Sequence, residues 1–362
     1  MGGRQMRFGD TVYIKSPTPT LQMQQVEGGW KYLGQSVNRL WDKSAIGHPD
    51  GEGGLILSDS EVIFCHDHRN LPWPSPNWLS QCISTKPNVL FEAAVMEALR
   101  VPGNKIVTQC PIYPLDLDIS EGTWGLRWPS NSHPGKEEAE AEVRWFHSTD
   151  GLDVDDLFRW CVSVIGKGKF AEVLIVDDEH SVVTYRLLPS EPSGRVPQPT
   201  IEEISSISSI QSVELSNGGA YFSGFGNWAC EAIGIPLHEG RQLGPYEIEI
   251  VSVGMAGTSA CLSIGASILR DLLKRGLHPR PGFKYGTRWR CYDAPLGEGH
   301  APWLVIDPTD APKDWGAACL GSRLASGVNK RWLHPILVEG VWRFLEVARP
   351  PPDRRWANPT RK

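Results

Sequence analysis

The stretch RWRCYDAPLGEGHAPWLVI, residues 288–306, decides how this chain is read. Arg288, Arg290 and Tyr292 alternate with Trp289 and Cys291, the period-two pattern of a half-buried strand. Trp303 to Ile306 is a short apolar run that predicts a buried strand. A glycine-containing loop separates the two, with Tyr292 at one end and His300 eight positions later at the other. Either these are ordinary hairpin residues or they are a base and an acid facing one substrate.

The neighbouring elements extend the pattern. Upstream, Ile268, Leu269, Leu272 and Leu273 predict an amphipathic helix stopped by Gly276 at a left-handed C-cap. Downstream, Asp310-Ala311-Pro312 predicts the opening of a helix that carries Trp315, Cys319 and Leu320 toward a core. If that helix continues to Lys330, Arg323 and Lys330, seven residues apart, return to nearly the same face. Leu337 to Val347 supplies the last strands, and the whole reads as a small mixed α/β layer domain. His278 and His334, beside prolines, read as loop or strand-edge residues.

Tyr292, His300 and Lys330 form a set that can cleave RNA without a metal. That reaction needs a base for the 2′-hydroxyl proton, an acid for the departing 5′-oxygen and a cation for the charge that builds on phosphorus. Histidine donates protons near neutral pH, and lysine supplies a compact positive charge. Tyrosine becomes a base when a neighbouring ammonium favours its phenolate. A competing reading places a metal-dependent nuclease at Asp307 and Asp310; a two-metal site requires clustered carboxylates, and Asp307-Pro308 reads as a turn.

Composition narrows the classes. The chain has 362 residues, 40% hydrophobic and 22% charged, with no apolar run near the length of a membrane span. Its first residues carry neither a signal-peptide core nor a good myristoylation site, so a cytoplasmic protein is expected. The net charge of −6 hides an asymmetry: residues 266–362 hold 17 Lys/Arg against 9 Asp/Glu, the remainder 19 against 33. A basic last quarter on an acidic body points to a local polyanion site. The eight cysteines form no C-x-x-C pair and read as buried free thiols, and Cys65 with His66 and His68 is a minor metal candidate. No cofactor and no metal are expected.

The run PSEPSGRVPQP at 189–199 separates two halves, and Thr200 to Glu203 fits a capping box that opens a helix with Ile201, Ile204, Ile207 and Ile210 on one face. The halves echo each other in order: GGLILSDSEVIF near 53 with GGAYFSGFGNWA near 218, helices ending at Arg100 and Arg275, and EVRWFHSTD near 142 with HAPWLVIDPTD near 300. The first half carries no equivalent of Tyr292 or His300, and Lys167 or Lys169 stands as a counterpart of Lys330 without partners.

RDLLKRGLHPRPGFKYGTRWRCYD, GHAPWLV and SRLASGVNK together resemble the catalytic domain of archaeal tRNA-splicing endonucleases, over about 85 residues. The resemblance implies Tyr292 as general base, His300 as general acid and Lys330 as electrostatic stabiliser. It implies that Arg323 stacks on a base of the intron bulge, with Arg343 or Trp342 as its partner, and that Arg288, Arg290 and Lys284 line the RNA surface. VLIVDDEHSVVTYRL, from Val173, resembles the family's terminal hairpin, so Asp177, Asp178 and Glu179 would dock on a second copy. The implied substrate is precursor tRNA with a bulge–helix–bulge, and the implied assembly a homodimer without membrane contact. A non-catalytic RNA-binding or structural subunit is the alternative. Here the family's KFG reads Lys284-Tyr285-Gly286, and the loop from Tyr292 to His300 is slightly shorter than usual.

The expected fold is mixed α/β: two tandem repeats, each a small N-terminal α/β subdomain followed by a restriction-endonuclease-like mixed-sheet domain, the second catalytic. The expected boundaries are an N-terminal extension at 1–50, subdomain 51–110, a degenerate nuclease-like domain at 111–190, linker 191–199, subdomain 200–265, catalytic domain 266–350 and a flexible tail at 351–362.

Overall fold

The computed structural model describes residues 23–109, 118–224, 228–254 and 262–359. The first half runs β1 (Met23–Val26), β2 (Gly29–Tyr32), α1 (Val37–Ser44), β3 (His48–Pro49), β4 (Leu55–Leu57), α2 (Asp59–Arg69), α3 (Trp78–Thr85), α4 (Val89–Arg100), β5 (Lys105–Thr108), β6 (Gly125–Trp128), β7 (Ala141–His147), α5 (Val154–Gly166), β8 (Phe170–Val176) and β9 (Val182–Ser190). The second runs α6 (Ile201–Ser208), β10 (Ser212–Glu214), β11 (Ala220–Ser223), β12 (Ile235–Leu237), β13 (Gly240–Leu243), α7 (Pro245–Val253), α8 (Ile264–Lys274), β14 (His278–Pro281), β15 (Trp289–Tyr292), β16 (Trp303–Val305), α9 (Trp315–Gly327), β17 (Arg331–Val338) and β18 (Val341–Ala348).

Ten of the strands form one mixed sheet in the order β14-β15-β16-β17-β18-β9-β8-β7-β6-β5. β5 to β9 pair antiparallel, antiparallel, parallel, antiparallel, and β14 to β18 pair in the same sequence of senses. Each parallel step is crossed by a helix, α5 or α9, as a parallel connection requires. The halves meet where β18 pairs antiparallel with β9, from Phe344↔Ser190 to Ala348↔Arg186. α5 and α9 cover this seam on one face, and Leu157, Trp160, Leu187, Leu304, Trp315, Trp332 and Leu345 share one core there. Two four-stranded sheets, ordered β1-β2-β4-β3 and β10-β11-β13-β12, precede the two five-strand runs.

The helices start where local chemistry provides a cap. Ser58 and Thr200 close capping boxes with Glu61 and Glu203, while Asp153 and Asp314 cap α5 and α9. α9 thus begins at Trp315, later than Pro312 suggests; Trp315 and Cys319 are buried, but Leu320 is 60% exposed. Gly276 ends α8 at φ +72°, and a Cβ there would sit 2.5 Å from the Gly194 carbonyl oxygen.

Several expectations change. Residues 23–50 are no extension, because β1, β2 and β3 share a sheet with β4. The expected break at 110 falls after β5, which already belongs to the ten-stranded sheet. The expected linker is strapped to the second half: Gly194 and Val196 N–H donate to the Arg275 and Gly276 carbonyls, at 3.0 and 2.9 Å. The expected flexible tail is packed as far as Asn358. Trp356 is buried in the first half's core, where its indole N–H donates to Glu172. The echo of 53–64 in 218–229 is out of register. By strand order β4 corresponds to β13, so AIGHPDGEGGLILSDSE (45–61) matches AIGIPLHEGRQLGPYE (232–247). Glu61 and Glu247 then do the same work. One oxygen of each accepts the N–H of Gly47 or Gly234, the other the N–H of the helix N-cap.

Candidate active site

The sheet brings Tyr292, the approach to β16 and the start of β17 to one edge. β15 ends at Tyr292, and its neighbour Cys291 pairs with Trp303, the first residue of β16. Trp303 in turn pairs parallel with Arg331, the first residue of β17. One step beyond this row lie Tyr292, Pro302 and Lys330, and Arg331 N–H donates to the Pro302 carbonyl at 2.9 Å. Lys330 donates through Nζ to the Ala301 carbonyl. His300 precedes that residue and is exposed. The three predicted catalytic positions therefore occupy one edge of three adjacent strands.

Two further residues crowd this edge. The Lys330 ammonium lies 5.3 Å from the centre of the Tyr285 ring, a cation–π contact. Tyr285 is held there by a tight turn: its N–H donates to the Gly282 carbonyl at 2.8 Å, and Gly286 follows in the left-handed region. The replacement of the family's KFG by Lys284-Tyr285-Gly286 is the sequence signal for this tyrosine. His278 pairs across the edge with Tyr292, their rings 6.5 Å apart and T-shaped. His278 is buried, its Nε2 has no hydrogen-bond partner, and burial with the help of Arg280 pushes its imidazole down to about 4. His278 lies on the outermost strand of the sheet, as the strand-edge reading has it, whereas His334 lies inside the sheet. β14 and β17 carry them, and both are 2% exposed.

The basic residues divide. Arg290 rests 5.7 Å from the Tyr292 ring centre, and its Nε is buried without a partner. Arg288 is exposed and lies 4.5 Å from the Tyr246 ring, and Lys284 is exposed as well. A cleft of about 530 Å³ opens here between α7 and β14–β15, lined by Tyr246, Arg280, Phe283, Arg288 and Trp289. Arg323 is exposed on α9. Trp342 packs on the opposite face of the sheet, among the α8 residues, with its indole N–H on Ser267 at 3.0 Å. Arg343 is paired with Glu191 at 2.9 Å.

The carboxylates divide too. Asp307 is fully buried; it accepts from the Tyr246 hydroxyl at 2.7 Å and from Thr309 N–H and hydroxyl. Both its oxygens are occupied in shaping the turn after β16. Cys65, His66 and His68 face different surroundings: a buried core, the Trp73 ring and Glu97. Asp177 builds the β8–β9 turn by accepting the N–H groups of Glu179 and Ser181, which leaves Asp178 and Glu179 exposed at its tip.

The first half shows what stands at the matching positions. Lys169 N–H donates to Val164 as Lys330 N–H does to Ala325, and Phe170 N–H to Glu140 as Arg331 N–H to Pro302. Lys169, and not Lys167, thus matches Lys330. The same register sets Glu138 against His300, and the Lys105↔Trp128 pair sets Trp128 against Tyr292.

β15, β16, α9 and β17, which build this edge, lie in the stretch that matches known proteins. Residues 265–340 match the catalytic C-terminal domain of tRNA intron endonucleases. The chain is 22% identical to the tRNA-splicing endonuclease of Methanococcoides burtonii over 348 residues, 87% of this chain and 95% of that protein. It is 30% identical to that of Thermoplasma volcanium over 121 residues, 32% of this chain and 38% of that protein. With that of Picrophilus torridus it shares 31% over 141 residues, 39% of this chain and 45% of that protein. The resemblance to tRNA-splicing endonucleases thus runs through most of the chain at low identity, and residues 265–340 carry the match to the catalytic domain. Among the described residues no helix is long and apolar enough to cross a membrane.

Proposed function

We propose that the chain cuts precursor tRNA at its exon–intron junctions, within a bulge–helix–bulge fold, by acid–base chemistry that uses no metal. The observation that carries this reading is the shared edge of Tyr292, His300 and Lys330 inside the matched domain. Tyr292 Oη takes the proton from a ribose 2′-hydroxyl, and the freed oxygen attacks the adjacent phosphorus. His300 gives a proton to the departing 5′-oxygen, and the Lys330 ammonium steadies the charge that gathers on the non-bridging oxygens. The products are a 2′,3′-cyclic phosphate and a 5′-hydroxyl. The inward commitment of both Asp307 oxygens supports this route over one through metal-bound carboxylates.

Arg288, Arg290 and Lys284 follow the RNA backbone, and Arg323 stacks on an unpaired base, a use suited to a guanidinium plane. Of the two candidate partners, Arg343 is the more available, because the Trp342 indole is engaged with Ser267. We read the matching strand orders as two copies of one restriction-endonuclease-like unit, the first without catalytic residues. Two chains then make a homodimer with two sites, and the Asp178–Glu179 tip of each docks on the basic half of the other. Such charge pairing sets register and encounter rate.

The test is incubation of the pure chain with a bulge–helix–bulge RNA in EDTA, followed by end-group analysis. Cyclic-phosphate ends and a His300→Ala variant with little activity are expected. Cleavage that EDTA abolishes would turn the reading to a metal nuclease. An inactive chain that becomes active only with a different subunit would turn it to the non-catalytic alternative.

A further inference from the structure

After β18 the chain crosses to the first half and grips the acidic turn. Arg354 pairs with Glu140 at 2.6 Å. Trp356 exchanges two hydrogen bonds with Thr184 of β9, its N–H donating to Thr184 Oγ1 and its carbonyl accepting from it, both at 2.8 Å. Its indole N–H donates to Glu172, and the Arg127 guanidinium lies 5.0 Å from its ring. Asn358 then spans the turn itself. Its Oδ1 accepts the Val182 N–H at 2.9 Å, and its Nδ2 donates to the His180 carbonyl at 2.5 Å.

That turn needs outside support. His180 sits at φ +61°, a left-handed conformation that costs a side-chain-bearing residue. Within the turn, Asp177 accepts two backbone N–H groups, and the His180 N–H donates to the Asp177 carbonyl at 2.9 Å. The Phe91 ring lies 5.0 Å from the His180 ring. Asn358 is the one of these contacts that comes from outside the first half. It ties the strained residue to the first residue of β9.

We propose that residues 354–358 are an internal strap that presets the Asp178–Glu179 tip for docking on a second copy of this chain. The proposal rests on the docking role given to the tip above. A turn already held in its docked shape loses less freedom on association, so the strap acts on affinity through preorganisation. Asn358 is a positioning residue; the carboxylates make the contact. The arrangement also makes the end of the catalytic half a support for the tip of the other half.

Three versions of the full chain test this: wild type, Asn358→Ala, and a double variant Asp178→Lys/Glu179→Lys. Sedimentation equilibrium gives the dimer constant, thermal unfolding the stability, and amide exchange the order of the turn. We expect the double variant to be monomeric. We expect Asn358→Ala to weaken the dimer about tenfold, since the freed turn must be ordered again on association, with its unfolding midpoint lowered by no more than a few degrees, roughly what two hydrogen bonds supply. The Ser181 and Val182 amides should exchange about tenfold faster in the Asn358→Ala monomer. A monomeric double variant beside a wild-type dimer constant for Asn358→Ala overturns the strap and leaves the docking role intact. A double variant that still dimerises removes the docking role, and the strap with it. Unchanged exchange at Val182 overturns the strap whatever the dimer does.

Discussion

Acid should loosen the second half through a histidine that lies outside the proposed site. His334 lies in β17, between β16 and β18, is 2% exposed and stacks edge-on with Trp332, ring centres 4.4 Å apart. Its Nε2 is buried without a hydrogen-bond partner. Burial alone pushes its imidazole down to about 3, from an ordinary 6.5. The unfolded chain therefore binds a proton below about pH 6.5 that the folded chain refuses until about pH 3. The stability this neutral histidine allows is complete above pH 6.5 and falls as the pH drops through that window. One pH unit corresponds to about 1.4 kcal/mol, so at pH 5 the loss is about 2 kcal/mol. His334→Leu removes the titration and keeps an apolar side chain of similar bulk. Urea titrations of both proteins at pH 7.5 and pH 5.0 give a difference of differences, in which every other titrating group cancels. The variant should gain about 2 kcal/mol on the wild type as the pH falls. A gap that stays constant within about 0.5 kcal/mol would refute the buried neutral state, since that is below a third of a pH unit per unit lowered.

Further outcomes follow from the same contacts. Lys330→Met should lower the single-turnover cleavage rate about 10²- to 10³-fold, as loss of one charge-stabilising donor does, with circular dichroism unchanged. Tyr285→Leu should lower that rate about fivefold by releasing the ammonium, and Tyr285→Phe should restore it, because the ring face and not the hydroxyl makes the contact. Arg127 is fully buried and pairs with Glu172 at 2.6 Å, so Arg127→Met should cost about 3 kcal/mol in urea unfolding by leaving a buried carboxylate short of charge. RNA affinity should fall steeply with salt, and Lys284→Ala should flatten the log–log slope by about one, read by filter binding at several salt concentrations.

The site was legible where local pattern and chemistry coincide. Alternation set the faces of β15, and the apolar run marked β16, so Tyr292 and His300 could be placed on either side of one loop. Properties that depend on tertiary partners were not legible. His278 and His334 sit beside prolines that mask their strands, and only the sheet shows them buried. PPPDRRWANP reads as a solvated tail until Trp356 finds a slot between Arg127 and Glu172. Arg127 and Glu172 themselves sit in strands whose charges suggest an exposed face, yet each neutralises the other inside the core. The echo between halves slipped because β3 and β12 are only two and three residues long, too short to show a period.

The matched register also argues for one site per chain. Trp128, opposite Tyr292 in the pairing scheme, is fully buried, and its indole N–H already donates to the Glu137 carbonyl. An indole nitrogen gives a hydrogen bond and accepts none, so it cannot take a proton from a ribose hydroxyl. Glu138, in the place of His300, is exposed and puts a carboxylate where the second half has an imidazole. Lys169 keeps the ammonium, but it rests on the Asp118 carbonyl at 3.3 Å. The backbone bond from Lys169 to Val164, like that from Lys330 to Ala325, closes the helix-to-strand turn, a task independent of the side chain. A Trp128→Tyr/Glu138→His double variant would test how much more than these two side chains the first half lacks. Its cleavage rate should stay at the wild-type value per chain, because Trp128 is sealed inside a core with Leu126 and Ala139 and a tyrosine there meets no substrate.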